Sequence, residues 1–72
     1  MSDVLARVID IWSSVLEQVV GADDDFFKLG GDSLLALQVA TLFQEAGHPG
    51  LPASAVLRWR TPADFASALQ RY

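Results

Sequence analysis

Apolar residues recur every three to four positions through most of this chain and nowhere alternate in the two-residue period of a strand. The first such stretch runs from about Asp3 to Val20. Val4, Leu5, Val8, Ile9, Ile11, Trp12, Val15, Leu16, Val19 and Val20 fill one side of a helical wheel, and Asp3, Arg7, Asp10, Ser13, Ser14, Glu17 and Gln18 fill the other. Ser2 is placed to cap its start and Gly21 to stop it. Ala22 to Gly31 has no period and reads as a loop, in which Phe26 or Phe27 must pin the chain to the core. A second helix is predicted from about Ser33 to Ala46, with Asp32 as N-cap and Gly47 at the stop. Gly47-His48-Pro49-Gly50 breaks the pattern, and Pro52 to about Leu57 reads as a short helix. Thr61-Pro62-Ala63-Asp64 then begins a last helix: Thr61 caps it, Pro62 suits its first position, and Phe65, Ala68, Leu69 and Tyr72 form its apolar face. The predicted class is all-α: a small four-helix bundle, three main helices plus one short one, in a single domain over residues 1–72.

The second helix has more apolar surface than a core requires. Leu35, Val39, Leu42, Phe43 and Ala46 share one face, which the pattern assigns to the core. Ser33, Leu37, Ala40 and Thr41 form a second stripe, with Leu34 at its edge. Scattered surface leucines are ordinary. Beside Ser33, however, this stripe reads as a docking surface.

Composition narrows the functions that remain. The 72 residues are 51% apolar, enough for one small core and no second one. Without cysteine the chain has neither disulfides nor a thiolate metal site. No apolar run approaches membrane-span length, and the N-terminal stretch is too charged for a signal peptide, so the expected location is the cytoplasm. A net charge of -4, with five basic residues scattered apart from Arg58 and Arg60, argues against nucleic acid; the acidity reads first as what keeps a small protein soluble and second as a match for partners with basic docking surfaces. Asp23, Asp24 and Asp25 lack the alternation, central glycine and closing glutamate of a calcium loop, so no resident metal is expected.

Ser33 is poorly equipped to be a catalyst. A nucleophilic serine needs a neighbouring base, and His48, the single histidine, stands past the far end of the second helix. At about 1.5 Å per residue, that helix separates the two by roughly 20 Å. Ser33 is better placed to be modified: it stands at a helix N-terminus, where backbone N–H groups and the helix dipole favour a phosphate. Asp32 can cap the helix before modification and hold a metal ion or a basic partner group during transfer. From the residues alone, a modified carrier and a helical adaptor that binds through the Leu34–Leu37 stripe without a prosthetic group both remain open.

The string Phe26-Phe27-Lys28-Leu29-Gly30-Gly31-Asp32-Ser33-Leu34 resembles the attachment motif of thiolation domains, the peptidyl carrier proteins of non-ribosomal peptide synthesis, which belong to the acyl-carrier-like phosphopantetheine-binding family. The resemblance extends to the Trp12 helix, the leucine-rich second helix and Thr61-Pro62, and so covers nearly the whole chain. It implies a non-catalytic carrier, with 4′-phosphopantetheine covalently attached to Ser33, flanked by Asp32 and Leu34. The arm's thiol would hold an aminoacyl, peptidyl or aryl group as a thioester, with Gly30-Gly31 favouring these over fatty-acid or polyketide cargo. The implied partners are a phosphopantetheinyl transferase, an adenylation domain, condensation or tailoring enzymes and a thioesterase, visited by a monomer. The helical wheel, not the resemblance, assigns Leu34, Leu37 and Thr41 to the docking surface; Trp59 reads first as a partly buried cover on the bundle and second as an added partner contact. The chain departs from the family pattern twice. The stretch between Trp12 and Phe26 is about a residue short, and Arg58-Trp59-Arg60 sets a bulky aromatic between two cations.

Overall fold

The computed structural model describes residues 3–71, so the expected roles of Ser2 as a cap and Tyr72 on the last apolar face lie outside the described residues. Four helices follow one another: α1 (Asp3–Leu16), α2 (Ser33–Glu45), α3 (Ser54–Arg58) and α4 (Pro62–Leu69). No strand occurs among the described residues. Helix α1 packs against both α2 and α4, and α3 packs against α2. The expected all-α bundle is the observed one.

Aromatic rings from three helices and one loop form the centre. Trp12 of α1 meets Phe26 edge-on at 5.1 Å and Phe65 of α4 at 5.6 Å, and Phe65 in turn meets Phe43 of α2 at 5.3 Å. Val8, Val39, Leu51, Val56 and Leu69 close around them, all buried. Of the two adjacent phenylalanines, Phe26 is the one that pins the loop; Phe27 leans on it from the surface.

Helix α1 is shorter than its periodicity implies. The chain leaves it at Glu17, whose φ of 55° is left-handed, and the Gln18 N–H bonds back to the Ser13 carbonyl at 3.2 Å. That is the turn that ends many helices, normally built on glycine. Gly21 is therefore not the stop. Val19, which the wheel puts on the core side, is 94% exposed, and Val20 reaches the core from the loop. Helix α2 ends by the same turn with the expected glycine: Gly47 has φ 112°, and the His48 N–H donates to the Phe43 carbonyl at 3.0 Å. The short helix also begins two residues later than expected, at Ser54. Thr61 caps α4 as predicted, its Oγ1 accepting the Asp64 N–H at 3.2 Å.

The faces of α2 are rotated relative to the sequence expectation. Val39 and Phe43 are buried as foreseen, but so are Ala36 and Ala40, while Ala46 is exposed and Leu35 half-buried. Ala40 thus leaves the surface stripe and Leu42, 40% exposed, joins it. At about 100° per residue, the buried arc sits roughly 70° from the face the leucines define. The reason is packing: α1 and α3 flank α2, and small alanines let neighbouring helices approach closely.

This rotation separates two adjacent positions. Leu42→Asp should cost no more than about 1 kcal/mol, as at other surface sites. Phe43→Ala should cost about 3–5 kcal/mol for the cavity it opens. Urea unfolding of the two variants measures the difference.

Candidate functional site

The loop between α1 and α2 is built on its aspartates. Asp24 Oδ2 accepts the Gly21 N–H at 2.7 Å. Asp25 Oδ1 accepts the Phe27 and Lys28 N–H groups at 2.9 and 3.3 Å, starting a tight turn that Leu29 N–H to Asp25 O and Gly30 N–H to Phe27 O complete. Both carboxylates therefore shape backbone. No cluster of three or more metal-ligating side chains exists among the described residues. Elsewhere the loop is tied down by Gln18, whose Nε2 donates to the Leu29 carbonyl at 2.6 Å, and by Ala63 N–H to Ala22 O at 3.0 Å.

Gly30 and Gly31 are required for different reasons. Gly30 has φ 94°, a left-handed conformation that side chains resist. Gly31 donates its N–H to the Phe26 carbonyl at 2.9 Å, and a Cβ there would run into the Phe26 ring and lie 2.7 Å from that carbonyl oxygen. The backbone must pass this close to Phe26 to turn into α2.

Asp32 follows in extended conformation and caps α2, its Oδ1 accepting the Leu35 N–H at 2.9 Å and its carbonyl the Ala36 N–H at 2.8 Å. Ser33 is the first helical residue and is exposed. Neither its N–H nor that of Leu34 has a protein acceptor among the described residues, and its Oγ has no hydrogen-bond partner there. An anion joined through this oxygen would find open space and two free donors at the positive end of a helix. His48 sits beyond the opposite end of α2, edge-on to Phe43 and lining a small hollow with Asp3, Val4, Arg7 and Leu69. It supports that helix end through its backbone N–H and has no access to Ser33.

The predicted docking residues are not all brought together. Leu34 and Leu37 are exposed on α2 beyond Ser33. Thr41 is exposed too, with its hydroxyl donating to the Leu37 carbonyl at 2.9 Å. Leu37, Gln38, Thr41 and Leu42 line a shallow groove of about 360 Å³. Gln38 and Leu42 were not foreseen there; the excess of leucine on α2 was the available signal. Trp59 does not line this groove. It is half-buried against the core in the link after α3, with the Arg58 guanidinium 5.0 Å from its ring centre.

Comparison with known proteins bears on the family and the fold. A family profile described as "Phosphopantetheine attachment site" matches residues 6–69. Tyrocidine synthase 3 of Brevibacillus parabrevis is 38% identical over 71 residues, covering 97% of this chain but 1% of the synthase. A solved non-ribosomal PCP domain superposes with a TM-score of 0.82 at 37% identity, covering 93% of this chain and 87% of that one. BlmI, a type-II acyl-carrier-protein from Streptomyces verticillus involved in bleomycin biosynthesis, gives 0.88 at 26% identity, covering 94% and 83%. The chain spans between 1 and 4% of the length of the curated relatives it matches.

The contact between Gly31 and Phe26 gives a direct check of the loop. Gly31→Ala should destabilise the domain by about 1–3 kcal/mol, because neither the buried ring nor the carbonyl can give way. Gly50→Ala should be nearly neutral, since nothing lies within 4 Å of a Cβ at Gly50. Urea denaturation of both variants distinguishes the sites.

Proposed function

The chain belongs to the family of phosphopantetheine attachment domains, and from that premise we propose that it is a peptidyl carrier domain of non-ribosomal peptide synthesis with its arm on Ser33. The observation that carries the assignment of the site is the exposed Ser33 at the start of α2, unpartnered at Oγ and next to two free N–H donors. When bound, the arm supplies a flexible thiol on which an acyl group is held as a thioester. The protein's own residues do three things. Asp32 fixes the first turn of α2, the N–H groups of Ser33 and Leu34 are left as free donors at the helix start, and the Phe26–Gly31 contact holds that turn against the core.

The carrier is proposed to be non-catalytic. No histidine stands near Ser33 and Asp32 is engaged in capping α2, which supports a phosphopantetheinyl transferase as the source of the base that activates the hydroxyl. Residues 1–72 are read as one carrier domain, monomeric and working in the cytoplasm, where coenzyme A is available to the transferase. No helix among the described residues is long and apolar enough to cross a membrane. Adenylation, condensation or tailoring enzymes and a thioesterase are the proposed further partners, a reading supported by the kinds of synthase the chain resembles. They would dock around Ser33 on Leu34, Leu37 and Thr41, to which the groove adds Gln38 and Leu42. Trp59 would contribute at most by its exposed edge. Such an interface is small, as suits a partner that must be released after each step.

Incubating the protein with a broad-specificity phosphopantetheinyl transferase and coenzyme A should add one arm, read by intact mass and mapped to Ser33. Ser33→Ala should gain no mass and keep the wild-type circular dichroism spectrum, since Asp32 still caps α2. A variant that still acquires the arm would place the attachment elsewhere.

Leu37→Asp tests the docking stripe separately. It should raise the transferase KM for the carrier roughly tenfold or more, as loss of a central apolar contact does, with little change in unfolding midpoint.

A further inference from the structure

Residue 60 touches the attachment loop in three ways. Its carbonyl accepts the Phe26 N–H at 2.7 Å. Its Nε lies 3.3 Å from Asp25 Oδ2. Its guanidinium carbon stands 5.7 Å from the centre of the Phe27 ring, within cation–π range. The Asp25 carboxylate held in this way is the one whose other oxygen accepts the Phe27 and Lys28 N–H groups and begins the turn. Phe26, the next residue, accepts the Gly31 N–H through its carbonyl, and Ser33 follows two residues later. A short route of hydrogen bonds and chain therefore joins the link between α3 and α4 to the hydroxyl that is modified.

The Arg60 side chain is 54% exposed and that of Asp25 is 19% exposed, so the guanidinium fills no core space. A pair this open adds little to global stability. What it does is local: it orients the carboxylate that caps the turn and covers the outer face of Phe27. We infer that Arg60 is a positioning residue for modification of Ser33, fixing the Asp25–Gly31 turn and hence where Ser33 Oγ stands when the transferase docks. The inference rests on Ser33 being the attachment site. A small displacement of a reacting group is enough to slow a transfer that depends on alignment.

The test compares steady-state transfer kinetics of the full chain, with coenzyme A saturating, for wild type, Arg60→Gln, Asp25→Asn and the double variant. Asp25→Asn leaves an amide oxygen to accept the Phe27 and Lys28 N–H groups while removing the charge, and it serves if Arg60→Gln does not fold. Each single variant should lower kcat about fivefold or more with KM unchanged, in contrast to Leu37→Asp. The double variant should be no slower than the slower single one, because both remove the same interaction. Amide resonances of Phe27, Lys28 and Gly31 should shift while those of α1 and α4 stay in place. Wild-type kcat in Arg60→Gln overturns the inference. So does a raised KM alone, which would make Arg60 a direct transferase contact, and so do additive losses in the double variant. A wild-type protein that acquires no arm at Ser33 overturns the attachment reading along with this one, whereas normal wild-type modification with unaffected variants overturns this one alone.

Discussion

The Phe26 ring enters the core from a loop, meets Trp12 edge-on at 5.1 Å and is wholly buried. Burying a phenylalanine is worth about 1.5–3 kcal/mol, more than a typical backbone–backbone hydrogen bond of the loop, at about 0.5–1.5 kcal/mol, supplies. The same residue donates its N–H to Arg60 and accepts from Gly31. One side chain thus fixes the loop in depth and its backbone fixes the loop in two directions. Gly31 has no freedom to grow a side chain because that ring and carbonyl are already there. The position of α2's first turn, and of Ser33 on it, follows from this contact.

The ends of the helices set the room available for that loop. Helices α1 and α2 stop by the same left-handed turn, one on Glu17 and the other on Gly47. A left-handed glutamate costs roughly 1–2 kcal/mol relative to glycine, which the surrounding contacts offset: Ser13 receives the Gln18 N–H on its carbonyl and the Val20 N–H on its Oγ. Stopping α1 at Leu16 frees Gln18 to reach the Leu29 carbonyl and lets Val20 turn inward. Had the helix continued to Val20, neither tie could form.

The geometry at Ser33 suits the proposed role of a residue that another enzyme modifies. Ser33 has space and donors for an anion but no histidine beside it, and leucines on one helix face surround it. A carrier needs this division of labour. The hydroxyl must be open to the enzyme that modifies it, and the surface around it must be apolar enough to dock and small enough to release. On the proposed reading, an arm anchored at this capped helix start would have a rigid base, while the acyl group itself would need no cavity in so small a core.

Much of this was legible in the chain itself. Four helices, the caps at Asp32 and Thr61, the loop between α1 and α2, and the candidacy of Ser33 all follow from local features: periodicity, Asx and hydroxyl caps, glycine and proline, and the absence of a histidine near Ser33. These are short-range effects, which neighbouring residues decide. The orientation of α2 was not legible. Hydropathy weights leucine over alanine and so points to Leu42, whereas the close approach of α1 and α3 buries Ala36 and Ala40 and leaves Leu42 out. The early end of α1 was hidden too, since glutamate carries no signal for a left-handed turn. Nor does any spacing in the sequence connect Arg60 with Asp25 and Phe27, or Phe26 with Gly31's lack of room. Those contacts bring together residues from separate segments, and only the packing of the folded chain decides which of them meet.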